Sequence, residues 1–426
     1  MKSTFAALRI RNYRLFAAGS LVSNTGTWMQ RVAQDWLVLA LTGSAGALGL
    51  TTGLQFLPIL LFSPFAGVIA DRFSKRSVMM ITQIAMSTTA ALLGVLAITG
   101  VVEAWHVYVI AFAFGTAAAF DTPARQAFVN EMVGRETLTN AVALNSASFN
   151  LGRMIGPAMA GGVIALLGSG VGASGWVILL NSGTYLAVLV ALKRMRSEEL
   201  HPVPKLPRAK GQLRDGIAYV RSRPDIVLVM AILFVAGTFG FNFQMTTALM
   251  ATEVYGKGAG EYGILGSILA VGSLTGALIA ARRTSSSQRL VVVAAIVFGL
   301  VTLAAGLMPT YLTFALVLPV AGITSMTLMT AANSFVQMAA DPAMRGRVLA
   351  LYLAVFMGGT PVGAPLLGWV AEHAGARWTL VGGGGLTALG TILIVAYTAH
   401  RRGVVLTRYV WRGRRTQPDY APVVAD

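Results

Sequence analysis

Apolar runs of bilayer length recur along this chain, and no other feature of the sequence restricts its fold as strongly. Twelve can be read, near residues 15–41, 46–70, 78–99, 105–123, 138–168, 174–192, 224–251, 261–281, 289–308, 311–338, 345–371 and 377–399. A helix needs ~20 apolar residues to cross a hydrocarbon core, and in that core the backbone must satisfy its own hydrogen bonds. No series of ten-residue alternating segments suggests a barrel. The expected fold is an all-α membrane protein of twelve transmembrane helices. Only 12% of the residues are charged, against ~25% in soluble domains, so a water-soluble globule is excluded.

The charges that remain are sorted by side. The chain has 33 basic and 16 acidic residues, a net +17. In a soluble protein that excess would suggest nucleic acid. Here 29 of the 33 bases fall in the amino-terminal segment, the even-to-odd connections and the tail, while the opposite loops hold only Lys257 and Arg377. That bias places both termini in the cytoplasm of a multi-pass inner-membrane protein and removes the case for a nucleic-acid partner. Cysteine is absent, which excludes disulfides and thiol chemistry. His106, His201, His373 and His400 are scattered near segment ends, so no metal cluster is expected.

The chain also repeats itself. A shift of 207 residues aligns Phe128/Val129 with Phe335/Val336, Gly152 with Gly359, Gly156 with Gly363 and Gly161 with Gly368, giving eleven identities over 42 positions. Two parallel six-helix repeats follow, at 1–192 and 224–399, with a tail at 400–426. In such transporters the binding site lies between the repeats near the midplane. The connection 193–223 carries Pro202, Pro204, Pro207 and nine bases, and Leu213, Ile217 and Val220 recur at helical spacing. This reads as a cytoplasmic linker ending in a short amphipathic helix.

The second span ends Gly67-Val-Ile-Ala-Asp71-Arg72-Phe-Ser-Lys75-Arg76. With the six-plus-six organisation it resembles the loop signature of the major facilitator superfamily, although Ser74 and Lys75 depart from the usual residues. The resemblance covers essentially the whole chain and implies alternating access. It implies that Asp71 contacts the eleventh span and that a base of the loop contacts an acid low in the fourth, a position Asp121 is expected to fill. Gly152, Gly156 and Pro157 in the fifth span resemble the glycine-proline signature of drug–proton antiporters. Asn12-Tyr13-Arg14-Leu15-Phe16, Leu41-Thr42-Gly43-Ser44 and Asp121-Thr122-Pro123-Ala124-Arg125 are similar to the branch containing enterobactin exporters and macrolide efflux proteins. That branch also includes a lysophospholipid carrier.

The first span offers the most chemistry. Asn24, Trp28, Arg31 and Asp35 share one helical stripe, and Ser23, Thr27, Gln30 and Gln34 form the next. One side of this helix is polar and should line a cavity. Ser146, Asn150 and Arg153 form a matching stripe on the fifth span, and Asn242 adds an amide on the seventh. Ionisable groups inside a span are costly and mark functional candidates. Asp35 is the acid placed deep in a span, so it is the expected proton-coupling group, tuned by Arg31 at i−4 and by Arg153; a static Arg31–Asp35 pair is the alternative. Asn24, Trp28, Gln30, Gln34, Ser146, Asn150 and Asn242 are the expected substrate-cavity residues. Gly67, Asp71, Arg72, Lys75, Arg76, Asp121, Gly152, Gly156 and Pro157 are the expected conformational switch. The functional expectation is a secondary transporter, active as a monomer without a cofactor, that exports small amphipathic molecules against a proton gradient. Uptake or flipping of a lipid-like metabolite is the alternative; a membrane enzyme or sensor would need a catalytic cluster or a soluble domain, and neither is found.

Overall fold

In the computed structural model, residues 5–134, 136–201, 212–283 and 286–401 are described. They form helices α1 (Arg11–Thr42), α2 (Ala45–Arg72), α3 (Lys75–Ile98), α4 (Ala104–Met132), α5 (Leu138–Leu166), α6 (Val171–Arg194), α7 (Gln212–Ser222), α8 (Pro224–Val235), α9 (Phe243–Leu249), α10 (Ala259–Ala281), α11 (Gln288–Gly306), α12 (Tyr311–Ala339), α13 (Arg345–Ala374) and α14 (Ala376–Arg401), with no strand among them. Eleven spans are long and apolar enough to cross a membrane, α8 and α9 counting as parts of one. The 32-residue α1 is longer than any of them but is not among them, because its polar stripe lowers its hydropathy.

Short-range sequence signals set the turns. Gly43 ends α1 in the left-handed region at φ 61°, and the Ser44 hydroxyl accepts the Ala47 N–H at 2.9 Å to start α2. Such a cap is worth ~1 kcal/mol. Ser287 and Thr310 cap α11 and α12 in the same way. Asn12 bonds both the N–H and the carbonyl of Arg196, at 3.0 and 2.9 Å. The Tyr13 hydroxyl donates to Ala141 O at 2.7 Å. These contacts tie the start of α1 to the ends of α5 and α6.

The 207-residue shift reappears as geometry. It carries α4 onto α12 at both ends and the start of α5 onto the start of α13. Within the first half α1 packs on α5 and α6, and α2 on α4; in the second, α10 packs on α12 and α11 on α14. The halves meet along α2–α13 and α5–α10. Both seams are built on small residues. A Cβ added at Gly53 would lie 2.8 Å from Pro365 Cγ, and one at Gly263 would lie 3.0 Å from Gly161 Cα and collide with the Pro157 carbonyl. Such positions let helix backbones approach closely.

Two elements differ from the sequence reading. The fourth span was expected to stop at 123, where Pro123 and Arg125 end the apolar run. The helix continues through Pro123 to Met132, where Ala124, Phe128, Val129 and Met132 are buried in an apolar cluster with Tyr13, Phe16 and Met79, and Arg125 pairs with Asp121 one turn earlier at 2.9 Å. The seventh span is not one helix. It runs as α8, a π-turn over Ala236–Gly240, α9, and a second π-turn over Met250–Val254. π-turns often occur at functional sites.

The expected amphipathic helix after the linker is present as α7. Its Val220 is buried and its Ile217 exposed, and Asp215 pairs with Arg347 of α13 at 3.2 Å. The prolines at 202, 204 and 207 lie outside the described residues, as does residue 402 onward.

Candidate functional site

One end of the bundle carries Arg11 and Arg401 and is called here the near end; the opposite end is the far end. A cavity of about 180 Å³ lies between the halves, lined by Trp28, Arg31, Phe56, Arg153, Phe241, Asn242, Phe243, Gln244, Tyr262 and Thr360 among others. Its polar groups come mainly from α1, α5 and the broken seventh span. The break explains why Phe241, Phe243 and Met245 all reach it: residues two apart do not share a face of a regular helix. Phe241 stacks on Phe298 at 4.9 Å, while Phe239 does not line the cavity.

Asp35 is buried, 3% exposed, behind the cavity-lining Gln244 and Tyr262. The static Arg31–Asp35 ion pair, the alternative reading, is not formed. The Asp35 carboxylate instead accepts from the Gln244 amide and from the Tyr262 hydroxyl, each at 2.7 Å. Both donors belong to the second half, so the acid of α1 ties the two halves together. Arg31 points along its own helix toward the near end. Its guanidinium lies 4.6 Å over the Trp28 ring and 5.5 Å from Phe56, and its Nε is buried without a hydrogen-bond partner. Arg153 of α5 reaches the same indole at 5.6 Å. The three expected coupling residues are thus neighbours, but in two groups: a cross-half clasp around Asp35 and an arginine pair around Trp28.

Of the expected cavity residues, Trp28 and Asn242 line the space. Gln30 and Gln34 do not. Gln30 accepts from Asn181 of α6, and Gln34 donates to Gln55 of α2 at 3.5 Å. Their stripe is polar because α1 crosses its own bundle there. Asn24 donates to Ser148 at 3.2 Å, and Asn150 donates to the Ser146 carbonyl at 2.9 Å, so these three residues stay outside the cavity wall. Gln244, Tyr262, Phe56 and Thr360 were missed. Gln244 and Tyr262 carried a readable signal, being polar side chains inside apolar spans.

The expected switch is redistributed. Asp121 is not the partner of the second-span loop. It accepts from Thr82 at 2.8 Å, Gln83 at 2.9 Å and Arg125 at 2.9 Å. Glu131 holds the position instead, paired with Lys75 at 2.8 Å. The reason is the length of α4: Glu131 lies ten residues, or ~15 Å, beyond Asp121. Arg76 donates to Ser197 Oγ at 2.7 Å and to the Lys193 carbonyl at 3.3 Å. Gly67 and Arg72 lie in the last turns of α2, and the side chain of Asp71 is outside the described residues. Gly152 and Gly156 serve close packing: a Cβ at Gly156 would meet Trp28 Cβ at 2.7 Å, and one at Gly152 would meet the Asn24 carbonyl carbon at 2.9 Å. Pro157 borders the cavity and abuts α10 through Gly263.

Among the described residues, the halves share five hydrogen bonds. Two join Asp35 to Gln244 and Tyr262. Two run from Ser44 Oγ and the Gly46 N–H to the Glu372 carboxylate. The fifth runs from the Ala158 N–H to Ser267 Oγ at 3.2 Å. All lie within ~15 Å of the far end by helical rise. The molecule is therefore closed at that end.

Two parallel bundles with a cavity at their interface define a membrane carrier of the major facilitator type. Solved structures share the architecture. A bacterial homolog of the human lysosomal transporter Spinster, inward-facing and occupied, superimposes with a TM-score of 0.70 over 96% of this chain and 99% of its own, at 14% identity. A D-xylose–proton symporter gives 0.70 over 90% and 96%, at 13% identity. Residues 2–403 match the transmembrane secretion effector family, and the chain belongs to it. It is 28% identical to the multidrug efflux pump Tap of Mycolicibacterium fortuitum over 86% of this chain and 90% of the pump. It is 24% identical to macrolide efflux protein A of Streptococcus pyogenes over 88% and 93%. It is 27% identical to the staphyloferrin A transporter of Staphylococcus aureus over 62% and 66%. The protein is a multi-pass membrane transporter and not an enzyme.

Proposed function

We propose that this chain exports small amphipathic molecules across the bacterial inner membrane by alternating access, in exchange for protons that bind at Asp35. One observation carries the reading: the buried carboxylate of Asp35, in the first half, is held by Gln244 and Tyr262 of the second. Two donors from the opposite half stabilise the charged carboxylate only while the far end is closed. By linkage, closing that end favours release of the proton, and taking up a proton favours opening it. With the termini in the cytoplasm, protons then bind from outside and leave to the inside, the direction in which the gradient drives them. Cargo drawn into the cavity from the cytoplasmic side leaves when the far end opens. The names of the efflux relatives support export, and the aromatic wall of Phe56, Phe241 and Phe243 suits amphipathic cargo.

The test is transport into energised everted vesicles, with a radiolabelled macrolide and an amphipathic fluorescent dye as probes. The parent chain should concentrate at least one probe, and an uncoupler should collapse the gradient. Asp35→Asn should retain downhill exchange and lose uphill accumulation. Uphill accumulation by Asp35→Asn equal to that of the parent would remove Asp35 from the mechanism.

A further inference from the structure

We propose that Arg31 and Arg153 form an anion-binding site, so that the cargo is an amphiphile carrying a carboxylate or phosphate group. This deepens the transport reading above and rests on it. Both guanidiniums lie on the Trp28 indole, at 4.6 and 5.6 Å from its centroid. Their charge centres are thus within roughly 10 Å of each other, where like charges in a poorly hydrated space repel appreciably. Among the described residues, neither has a carboxylate at ion-pair distance. The acid that could balance them, Asp35, lies beyond ion-pair distance of either guanidinium and accepts through Oδ2 from Gln244 and Tyr262. Burying a cation without a partner is costly, and Arg31 Nε is a buried donor with nothing to donate to. The indole face and Phe56 supply cation–π attraction, but a ring face leaves the N–H edges of a guanidinium free. Those edges are the part that binds a planar carboxylate or a phosphate.

The opposite wall adds a second requirement. Asn242 donates its amide N–H to the Thr238 carbonyl at 2.8 Å, while its Oδ1 is buried without a partner. Asn242 and Arg31 border the same cavity, so one molecule can answer both orphan atoms. The fitting ligand carries an anionic head for the arginines and a hydroxyl or N–H for Asn242. Its apolar body would lie against Phe56, Phe241 and Phe243. A free organic carboxylate and an anionic lysolipid share this chemistry.

Equilibrium binding to the purified full chain in nanodiscs of zwitterionic lipid separates the possibilities without any gradient. The probes are dansylglycine and its neutral amide. The parent should bind the carboxylate at least roughly tenfold more tightly than the amide, the factor expected for charge-assisted hydrogen bonds. Arg31→Gln and Arg153→Gln should each erase most of that ratio while leaving amide binding in place, which also shows that the variants are folded. Arg153→Lys should keep more of the ratio than Arg153→Gln. Displacement of dansylglycine by citrate, by 1-lauroyl lysophosphatidate or by both upholds the site and assigns its source to soluble carboxylates, to lipid or to either. Equal binding of carboxylate and amide by the parent, or a ratio unchanged in both glutamine variants, overturns the proposal. Because no gradient is used, a failure of Asp35 coupling leaves this result standing, and loss of the anion preference leaves the coupling test standing.

Discussion

Replacing Tyr262 by phenylalanine removes one oxygen from the molecule and tests the clasp directly. The Tyr262 ring is 1% exposed, and its hydroxyl supplies one of the two 2.7 Å hydrogen bonds to Asp35. Phenylalanine fills the same volume, so packing is preserved; the bond to Asp35 is lost, together with a longer contact to the Gln244 carbonyl at 3.3 Å within the second half. A hydrogen bond to a buried charged group contributes ~1.5–3 kcal/mol. At 1.4 kcal/mol per factor of ten, the ratio of far-open to far-closed molecules should rise roughly 10- to 150-fold. The chain has no cysteine, so two can be introduced without background. Spin labels at positions 170 and 257, on the far-end loops of the first and second halves, report the separation of the halves as a distance distribution. Tyr262→Phe should move population from the short to the long distance, and so should Asp35→Asn. Together the two changes should give less than the sum of their separate effects, because both break the same contact. A parental ratio in Tyr262→Phe, or strictly additive effects in the double variant, would refute the idea that this contact holds the far end closed.

Other contacts give independent checks. Glu372→Gln weakens the acceptor at the start of α2 and removes a charge that favours a helix N-terminus by ~0.3–1 kcal/mol; the same labels should show a shift toward the far-open form, smaller than that of Tyr262→Phe. Lys75→Met leaves Glu131 without its partner at a site where both side chains are only 12–13% exposed. It should lower the stability of the purified protein by ~1–3 kcal/mol, read as a fall in Tm, and exchanging the two charges should recover most of that loss. Gly263→Val forces a side chain against Pro157 and Gly161; the far-closed distance should disappear, and a parental distribution with parental transport would show that the α5–α10 seam tolerates separation.

Most of the architecture was legible because the bilayer writes it as composition. Apolar length fixed where helices lie, and the 207-residue repeat in glycines 152, 156 and 161 anticipated matching elements in the second half. The turn Thr42-Gly43-Ser44 was readable as a stop followed by a cap. Helix ends beyond the apolar run were not. Arg125 marks the end of the apolar run, but the helix beyond it is held by an apolar cluster with α1 and α3, and that extension is what hands the Lys75 contact to Glu131. The break in the seventh span was equally hidden. Gly237 and Gly240 permit it, but the reason lies in neighbours remote in sequence: a side chain at Gly240 would collide with Phe298, and α13 reaches Thr238 through Gly363.

The site shows the same division more sharply. Asp35, Arg31 and Arg153 were found as the ionisable groups that an apolar span should not contain, a property of each residue alone. The partners of Asp35 were not legible, because helical spacing names every candidate partner on the same helix and none on another. Arg31 is four residues from Asp35, yet the partners that hold Asp35 are 209 and 227 residues away. Gln30 and Gln34 fail for the converse reason: a polar stripe shows that a helix face meets polar groups without saying whether they belong to a cavity or to a neighbouring helix, here Asn181 and Gln55. The distinction decides function. A pair within α1 would move as one body and couple to nothing, whereas a carboxylate held by the opposite half must lose or exchange its partners whenever the halves part. Under the proposed proton exchange, only the second arrangement would let one proton report which end of the cavity is closed.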